Sequence, residues 1–234
     1  MIRTYIPMAT QLNREWDNFT RRLSESLRHP GLNSTTLHLH KQETVYTCGD
    51  RADCVYIIES GQMKLLRFSP EGKECLLAIL TEGETLGELC LTSSGVRHET
   101  AVAMEDTKLK RVSYLDFFRH LDQNSLVEPF MLYLATRISE QQRVITNLIT
   151  VDSEHRLGET LLFLARKLGQ PNPASTRIEK KITHEELSEM VGTTRPRITS
   201  FMLQFRALGL IETTPEHFLI VREKQLAEYL ARID

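Results

Sequence analysis

A chain that places Thr183, Gly192 and Pro196 as this one does has few options over residues 182–211. The segment reads ITHEELSEMVGTTRPRITSFMLQFRALGLI, and its punctuation predicts two short helices joined by a tight turn. Thr183 followed by Glu186 is a Thr-x-x-Glu capping box, in which hydroxyl and carboxylate each satisfy an orphan amide at a helix start. Leu187, Met190 and Val191 give this helix an apolar stripe, and Gly192 follows where a left-handed residue ends it at little steric cost. Thr194 is placed to cap a second helix, and Pro196 fits its first turn, where the missing amide has no partner to lose. Ile198, Phe201, Met202, Phe205 and Leu208 then recur at helical spacing.

The other face of the second helix carries Arg195, Arg197, Thr199 and Ser200, and no Asp or Glu occurs between Glu189 and Glu212. Such a face meets a phosphate backbone without like-charge repulsion, and the positive end of the helix dipole adds to the attraction. Spacing alone also allows a plain helical hairpin with a solvated basic face. The segment resembles the winged helix-turn-helix of the CRP/FNR family of bacterial transcription regulators: Gly192, Thr194 and Arg195 fall on the family's turn glycine, cap hydroxyl and first base-reading arginine. It departs at Pro196, where many members have Glu, and at Ser200, where a member carries a further arginine. The resemblance implies double-stranded DNA as partner. Arg195, Pro196, Arg197, Thr199 and Ser200 are expected in the groove, and Thr183, Lys180, Lys181 and Arg206 around the backbone. The tail TTPEHFLIV predicts a hairpin wing turning near Pro215 and Glu216, with a terminal helix from Glu223.

Composition confines the DNA argument to this local surface. The 234 residues carry a net charge of −2, so the global balance gives no nucleic-acid signal. The N-terminus lacks the apolar core of a signal peptide and no stretch approaches the ~20 apolar residues of a membrane helix, which gives a cytoplasmic chain with no membrane partner. Cys48, Cys54, Cys75 and Cys90 are scattered without CxxC pairs and read as buried structural thiols.

From about Thr35 to Ser113 short β-rich runs alternate with glycines: Thr44 to Tyr46, Val55 to Ile58, Gln62 to Phe68, Glu74 to Leu80, Thr100 to Met104 and Lys108 to Val112, with Gly49, Gly61, Gly72 and Gly83 between them. Pro70-Glu71-Gly72 has the chemistry of a hairpin turn. This is an antiparallel jelly-roll pattern, and the fold by itself does not choose among sugar binder, enzyme, capsid unit or sensor. The runs DCVYIIESGQMKLL, SPEGKECLLAILTEGETLGELCL and RHETAVAMEDTKL are similar to the cyclic-nucleotide-binding β-roll of the same family. That resemblance implies an effector site at Gly87, Glu88, Leu89, Cys90, Arg97 and His98, with Glu88 on a ribose hydroxyl and Arg97 on a phosphate. Glu99 and His98 depart from the small residues that nucleotide-binding members carry there, so a cyclic nucleotide, another small ligand and an empty roll braced by a Glu88–Arg97 ion pair all stay open. Gln141 and Gln142 fall on the family's second ligand-contacting stretch.

Two rival inputs need residues that the sequence scatters. A cupin-type metal enzyme needs clustered His and carboxylate ligands; His38 and His40 share a strand spacing, and no third ligand accompanies them. A haem or redox-cysteine sensor would rely on His98 or Cys90. No Ser/His/Asp or Cys/His constellation appears, so the chain reads as a non-enzyme with no metal site.

A long helix is expected to join the halves. Ser125 with Glu128 forms a second candidate capping box. Beyond it Val127, Met131, Leu134, Ile138, Gln141, Ile145 and Leu148 follow the four-three spacing of a coiled-coil seam, with Arg137, Glu140 and Arg143 on the reverse face. Asp152 then caps a helix from Ser153 to Lys167 striped by Leu157, Leu161, Leu164 and Leu168. The expected architecture is α+β: N-terminal helices and a β-roll sensor over residues 1–124, a dimerisation helix over 125–151, and a winged helix-turn-helix over 152–234. The expected molecule is a homodimeric regulator of a palindromic operator, working with RNA polymerase.

Overall fold

A computed structural model describes residues 18–27, 32–70, 72, 74–91, 95–172, 174–179 and 181–233. Lys180 and Glu71 lie outside the described residues. The chain divides into two compact units, Met1–Gln141 and Gln142–Asp234.

The first unit holds two antiparallel four-stranded sheets. One has the order β1 (Ser34–Leu39), β8 (Thr107–Ser113), β3 (Cys54–Ser60), β6 (Thr85–Leu86); the other runs β2 (Thr44–Tyr46), β7 (Thr100–Ala103), β4 (Met63–Phe68), β5 (Glu74–Leu80). The jelly roll expected from the glycine-punctuated runs is present, and β2 and β5 have the expected bounds. A run of buried residues explains β3: Cys54 to Ile58 are all covered, so this strand forms the middle of the roll instead of alternating like an exposed one. Gly61, with positive φ, turns β3 into β4 where an added Cβ would strike the Asp106 carbonyl and Thr107, so only glycine fits there.

Helix α1 (residues 18–26), α2 (Tyr114–Gln123) and the first half of α3 (Val127–Thr150) close one side of the roll. Phe19, Leu23, Phe117, Leu121, Phe130 and Tyr133 form one core with Val55, Ile57 and Val112. The Phe19 and Tyr133 rings lie 4.7 Å apart, a contact that contributes about 0.5–1.5 kcal/mol beyond its area. His120 is buried here, its Nε2 donating to Ser26 Oγ at 2.8 Å while Ser26 donates to the Leu23 carbonyl.

The start of α3 corrects one expectation. Ser125 does not cap it: Ser125 is left-handed, with φ of 52°, and its amide bonds the Asp122 carbonyl while that of Leu126 bonds Leu121. These bonds satisfy the last carbonyls of α2, so the residue that looked like a beginning serves as an ending.

The second unit contains the C-terminal part of α3, then α4 (Ser153–Leu168), capped by Asp152, whose carboxylate accepts from the His155 amide at 2.9 Å. Leu157, Leu161, Leu164 and Leu168 are buried as their spacing predicts. Helix α7 (Glu223–Ile233) crosses α4 at Gly158, where an added Cβ would meet Leu230 at 2.5 Å. A four-stranded sheet of order β11 (Ile211–Thr213), β12 (Leu219–Val221), β10 (Ser175–Ile178), β9 (Gly169–Asn172) carries the wing, turning through residues 214–218. The β9–β10 hairpin has no counterpart in the sequence reading, because prolines at 171 and 173 hide it.

Candidate functional site

Helix α5 (His184–Val191) begins as its capping box requires. Thr183 Oγ accepts from the Glu186 amide at 3.1 Å, and the Glu186 carboxylate accepts from the Thr183 amide at 2.8 Å. Gly192 ends the helix with φ of 68° and ψ of 45°, its amide bonding the Ser188 carbonyl. After this turn α6 (Arg195–Ala207) buries Ile198, Met202 and Phe205 and leaves Arg195, Pro196, Arg197 and Ser200 exposed. The apolar side anchors the helix and leaves its first turn to solvent. Gln204 on α6 ties to α4 and α7 through Glu154 and Tyr229, the carboxylate accepting from Gln204 Nε2 at 2.9 Å and from the Tyr229 hydroxyl at 2.5 Å.

Four details depart from expectation. Thr194 holds the N-cap position with extended backbone, yet its hydroxyl makes no capping bond. Thr199 is half-buried and turned toward α5, its Oγ 2.9 Å from His184 Nδ1. Leu208 is exposed because it follows the last turn of α6, past the buried stripe. The acid-free face is so in sequence only: Glu185 comes from the neighbouring helix to within 4.0 Å of Arg195. Arg206 is exposed in the last turn of α6, and Lys181 is exposed with its ammonium 5.6 Å over the Phe218 ring of the wing, which Arg177 approaches from 4.6 Å.

The effector turn lies in the first unit. Gly87 has φ of 79°, and an added Cβ would run into the Arg97 guanidinium. A 3-10 turn, Glu88–Leu91, follows. Arg97 is only 2% exposed. Its two terminal nitrogens donate to the carbonyls of Gly87 at 2.9 Å and Cys54 at 2.8 Å, and its cation sits 4.3 Å above the Tyr46 ring, with Tyr56 behind. Glu99 is buried and accepts from the Tyr46 hydroxyl at 2.9 Å. Burial, with Glu99 beside it, pushes the Tyr46 phenol far above its ordinary range, so that it stays a donor.

The Glu88–Arg97 ion pair, one of the three alternatives the sequence leaves open, is not formed. Glu88 bonds Arg137 of α3 at 2.6 Å, and both side chains are almost wholly covered. Burial raises the Glu88 pKa while Arg137 pulls it back; burial acts to lower that of Arg137, but Tyr133, Glu88 and Glu84 outweigh it and hold the guanidinium charged. Arg137 was expected on a solvent face. It follows Phe130 and Tyr133 at helical spacing on the buried stripe, and that periodicity is the signal the seam assignment overrode. Glu88 Oε2 and Arg97 Nε are buried without a hydrogen-bond partner.

The remaining predicted effector residues scatter. Cys90 is half-buried, with its thiol pushed up to about 11 by burial, His98 is half-buried, and Leu89, Gln141 and Gln142 are exposed. Cys48 and Cys75 are exposed, which corrects the reading of four buried thiols; Cys54 alone is fully covered, its Sγ 3.2 Å from Arg97. Among the described residues no three His, Cys, Asp or Glu side chains gather as a metal-holding group, and His38 and His40 are both exposed.

Residues 36–124 match the cyclic nucleotide-binding domain family and residues 155–229 the Crp-like helix-turn-helix domain family. The chain is similar to the CRP-like cAMP-activated global transcriptional regulator of Mycobacterium tuberculosis, at 30% identity over 79% of this chain and 83% of that protein. It is similar to the global nitrogen regulator of Synechocystis at 29% identity over 86% and 88%. In fold it resembles FixK2 of Bradyrhizobium japonicum, with a TM-score of 0.72 at 16% identity over 84% and 97% of the two chains. The capped helix pair with its exposed arginines, in a chain that also holds a jelly roll whose Arg97 donates to the Gly87 carbonyl, joins these matches in placing the chain in the CRP/FNR family as a DNA-binding transcription regulator.

Proposed function

We propose that two copies of this chain pair along α3 and read a two-fold symmetric operator under the control of a small effector in the roll. The observation that carries the pairing is an unpartnered apolar stripe. Met131 is 66% exposed, Ile138 56% and Ile145 58%, with Val127 and Leu148 continuing the series, while the other side of α3 buries Phe130, Tyr133 and Thr136. Apolar residues at four-three spacing bury best against a copy of themselves, and the exposed Gln141 within the stripe fixes register at some cost in stability. Each α6 then enters a major groove about 34 Å from its mate. Arg195, Arg197, Pro196 and Ser200 meet the base edges there, and Thr183, Lys181 and Arg206 the backbone. RNA polymerase is the protein partner, the cytoplasm the compartment, and no turnover chemistry is assigned. No helix among the described residues is long and apolar enough to cross a membrane.

Two relatives of nearly equal identity are named for different inputs, so the effector is argued from side chains. Both terminal nitrogens of Arg97 already donate to backbone carbonyls and its Nε–H is buried without a hydrogen-bond partner, while Glu88 Oε2 is an open acceptor. The complement is a ligand that offers a hydroxyl to Glu88 Oε2 and an acceptor to Arg97 Nε; with both terminal nitrogens turned to carbonyls, Arg97 is less suited to act as a two-pronged phosphate clamp. The effector acts through unequal affinity for two arrangements of the paired chains, since equal affinity would shift neither.

Sedimentation of the purified chain tests the pairing: a dimer is expected for the native protein and a monomer for Ile138→Asp, and a monomeric native chain would sink the reading. Selection of binding sequences from a random duplex pool should return inverted repeats. Calorimetry against cyclic AMP and cyclic GMP tests the effector reading; tight binding of either would overturn the reading that Arg97 is not poised to clamp a phosphate.

A further inference from the structure

His184 opens α5 beside the capping Thr183, and its ring packs against α6 with Nδ1 2.9 Å from Thr199 Oγ. Thr199 donates its own hydroxyl hydrogen to the Arg195 carbonyl at 3.1 Å, so its oxygen is left to accept and Nδ1 must carry the bridging proton. The neutral ring therefore offers only a lone pair at Nε2, which has no partner among the described residues. A lone pair repels a phosphate oxygen; a protonated Nε2 donates to it. The ring is half-buried between the two helices, in the field of Arg195 and Arg206 from α6.

We propose that His184 is a proton-linked DNA contact, taking up a proton at Nε2 as a backbone phosphate arrives beside the first turn of α6 and then donating to that phosphate. The inference rests on the DNA-binding reading of this face. Burial first, then Arg206 and Arg195, hold the His184 pKa below its ordinary value in the free protein. An arriving phosphate neutralises the two arginines and adds negative charge of its own, and both changes raise the pKa. Glu185, 4.0 Å from Arg195, Glu186, folded back on Thr183, and Lys181 ahead of the helix are the other charges nearby, and they are present with and without DNA. The complex then binds more protons than its parts. Affinity rises as pH falls from the pKa of the complex toward that of the free ring, by up to about tenfold per pH unit for each subunit, and is flat above the higher value. Thr199, expected to touch DNA directly, becomes the residue that fixes which nitrogen of His184 faces it.

The test is fluorescence anisotropy of a labelled mixed-sequence duplex at low, constant ionic strength from about pH 5.5 to about pH 8. The native protein should bind more tightly toward acid. His184→Arg, a permanent cation, should bind at the tight level with a flat profile, and His184→Gln should bind weakly with a flat profile. A His184→Gln profile as steep as the native one overturns the proposal; should that variant fail to fold, a native slope in His184→Arg overturns it equally. Absence of binding by the native protein at every pH would remove the DNA reading itself, and this inference with it.

Discussion

Arg195 and Arg97 sit in opposite surroundings. At the start of α6 the Arg195 side chain is 69% exposed and meets one carboxylate at 4.0 Å. Inside the roll Arg97 is enclosed, with two backbone carbonyls and an aromatic face around its charge. Water solvates most of the first, so its removal should leave the fold intact. Around the second, two carbonyls and an aromatic face stand in for water at the terminal nitrogens, so its removal leaves buried carbonyls unsatisfied. Environment decides whether an arginine is left available to a partner or braces the fold.

The comparison breaks most visibly at Arg97. Arg97→Ala should destabilise the roll by about 3–5 kcal/mol, because the Gly87 and Cys54 carbonyls lose their donors and a cavity opens beside Tyr46. Thermal melting would show this as a large fall, and an unchanged melt would mean that Arg97 does not brace the roll. Arg195→Ala should leave the melt in place and weaken sequence-specific binding by about 1–3 kcal/mol in a mobility-shift titration. Retained operator preference would remove Arg195 from the base-reading set.

Two threonines sharpen the contrast within the helix pair. Thr183→Ala removes a formed capping box and should cost about 1 kcal/mol in denaturant unfolding. Thr194→Ala removes a hydroxyl that makes no cap bond, and should cost less than about 0.5 kcal/mol. Equal losses would show that Thr194 caps α6 in solution.

The smallest effect is expected from pH. Burial, then Lys110, lower the pKa of His120, so the unfolded chain binds the proton more readily than the folded one. The contribution is therefore complete above the unfolded value of about 6.5 and is lost as pH falls through the lower folded value. Urea titrations at about pH 7.5 and about pH 5 should show the loss in the native protein and a smaller one in His120→Gln.

Legibility followed the range of the interactions. The capping box at Thr183, the turn at Gly192, the Asp152 cap and the leucine stripe of α4 join residues within a turn or two, and all appear as their spacing indicates. The glycine-divided strands of the roll were readable for the same reason. What escaped was pairing over distance: Glu88 and Arg137 are 49 residues apart, and Glu185 reaches Arg195 only because two helices fold together. Arg137 is illegible in the sequence because one helix carries two apolar stripes, one facing the core and one exposed, and Arg137 lies on the first. Ser125 misled because a polar residue between two helices fits the end of one as well as the start of the other.

On the proposed pairing, the bare stripe on α3 makes abundance itself an input. A subunit carrying Met131, Ile138 and Ile145 in water has a surface that any other copy can cover, so the active species forms by mass action. At low copy number the concentration of pairs grows as the square of the amount synthesised, and doubling expression quadruples the population able to span both half-sites. A regulator so paired is steep toward its own dose, with or without an effector.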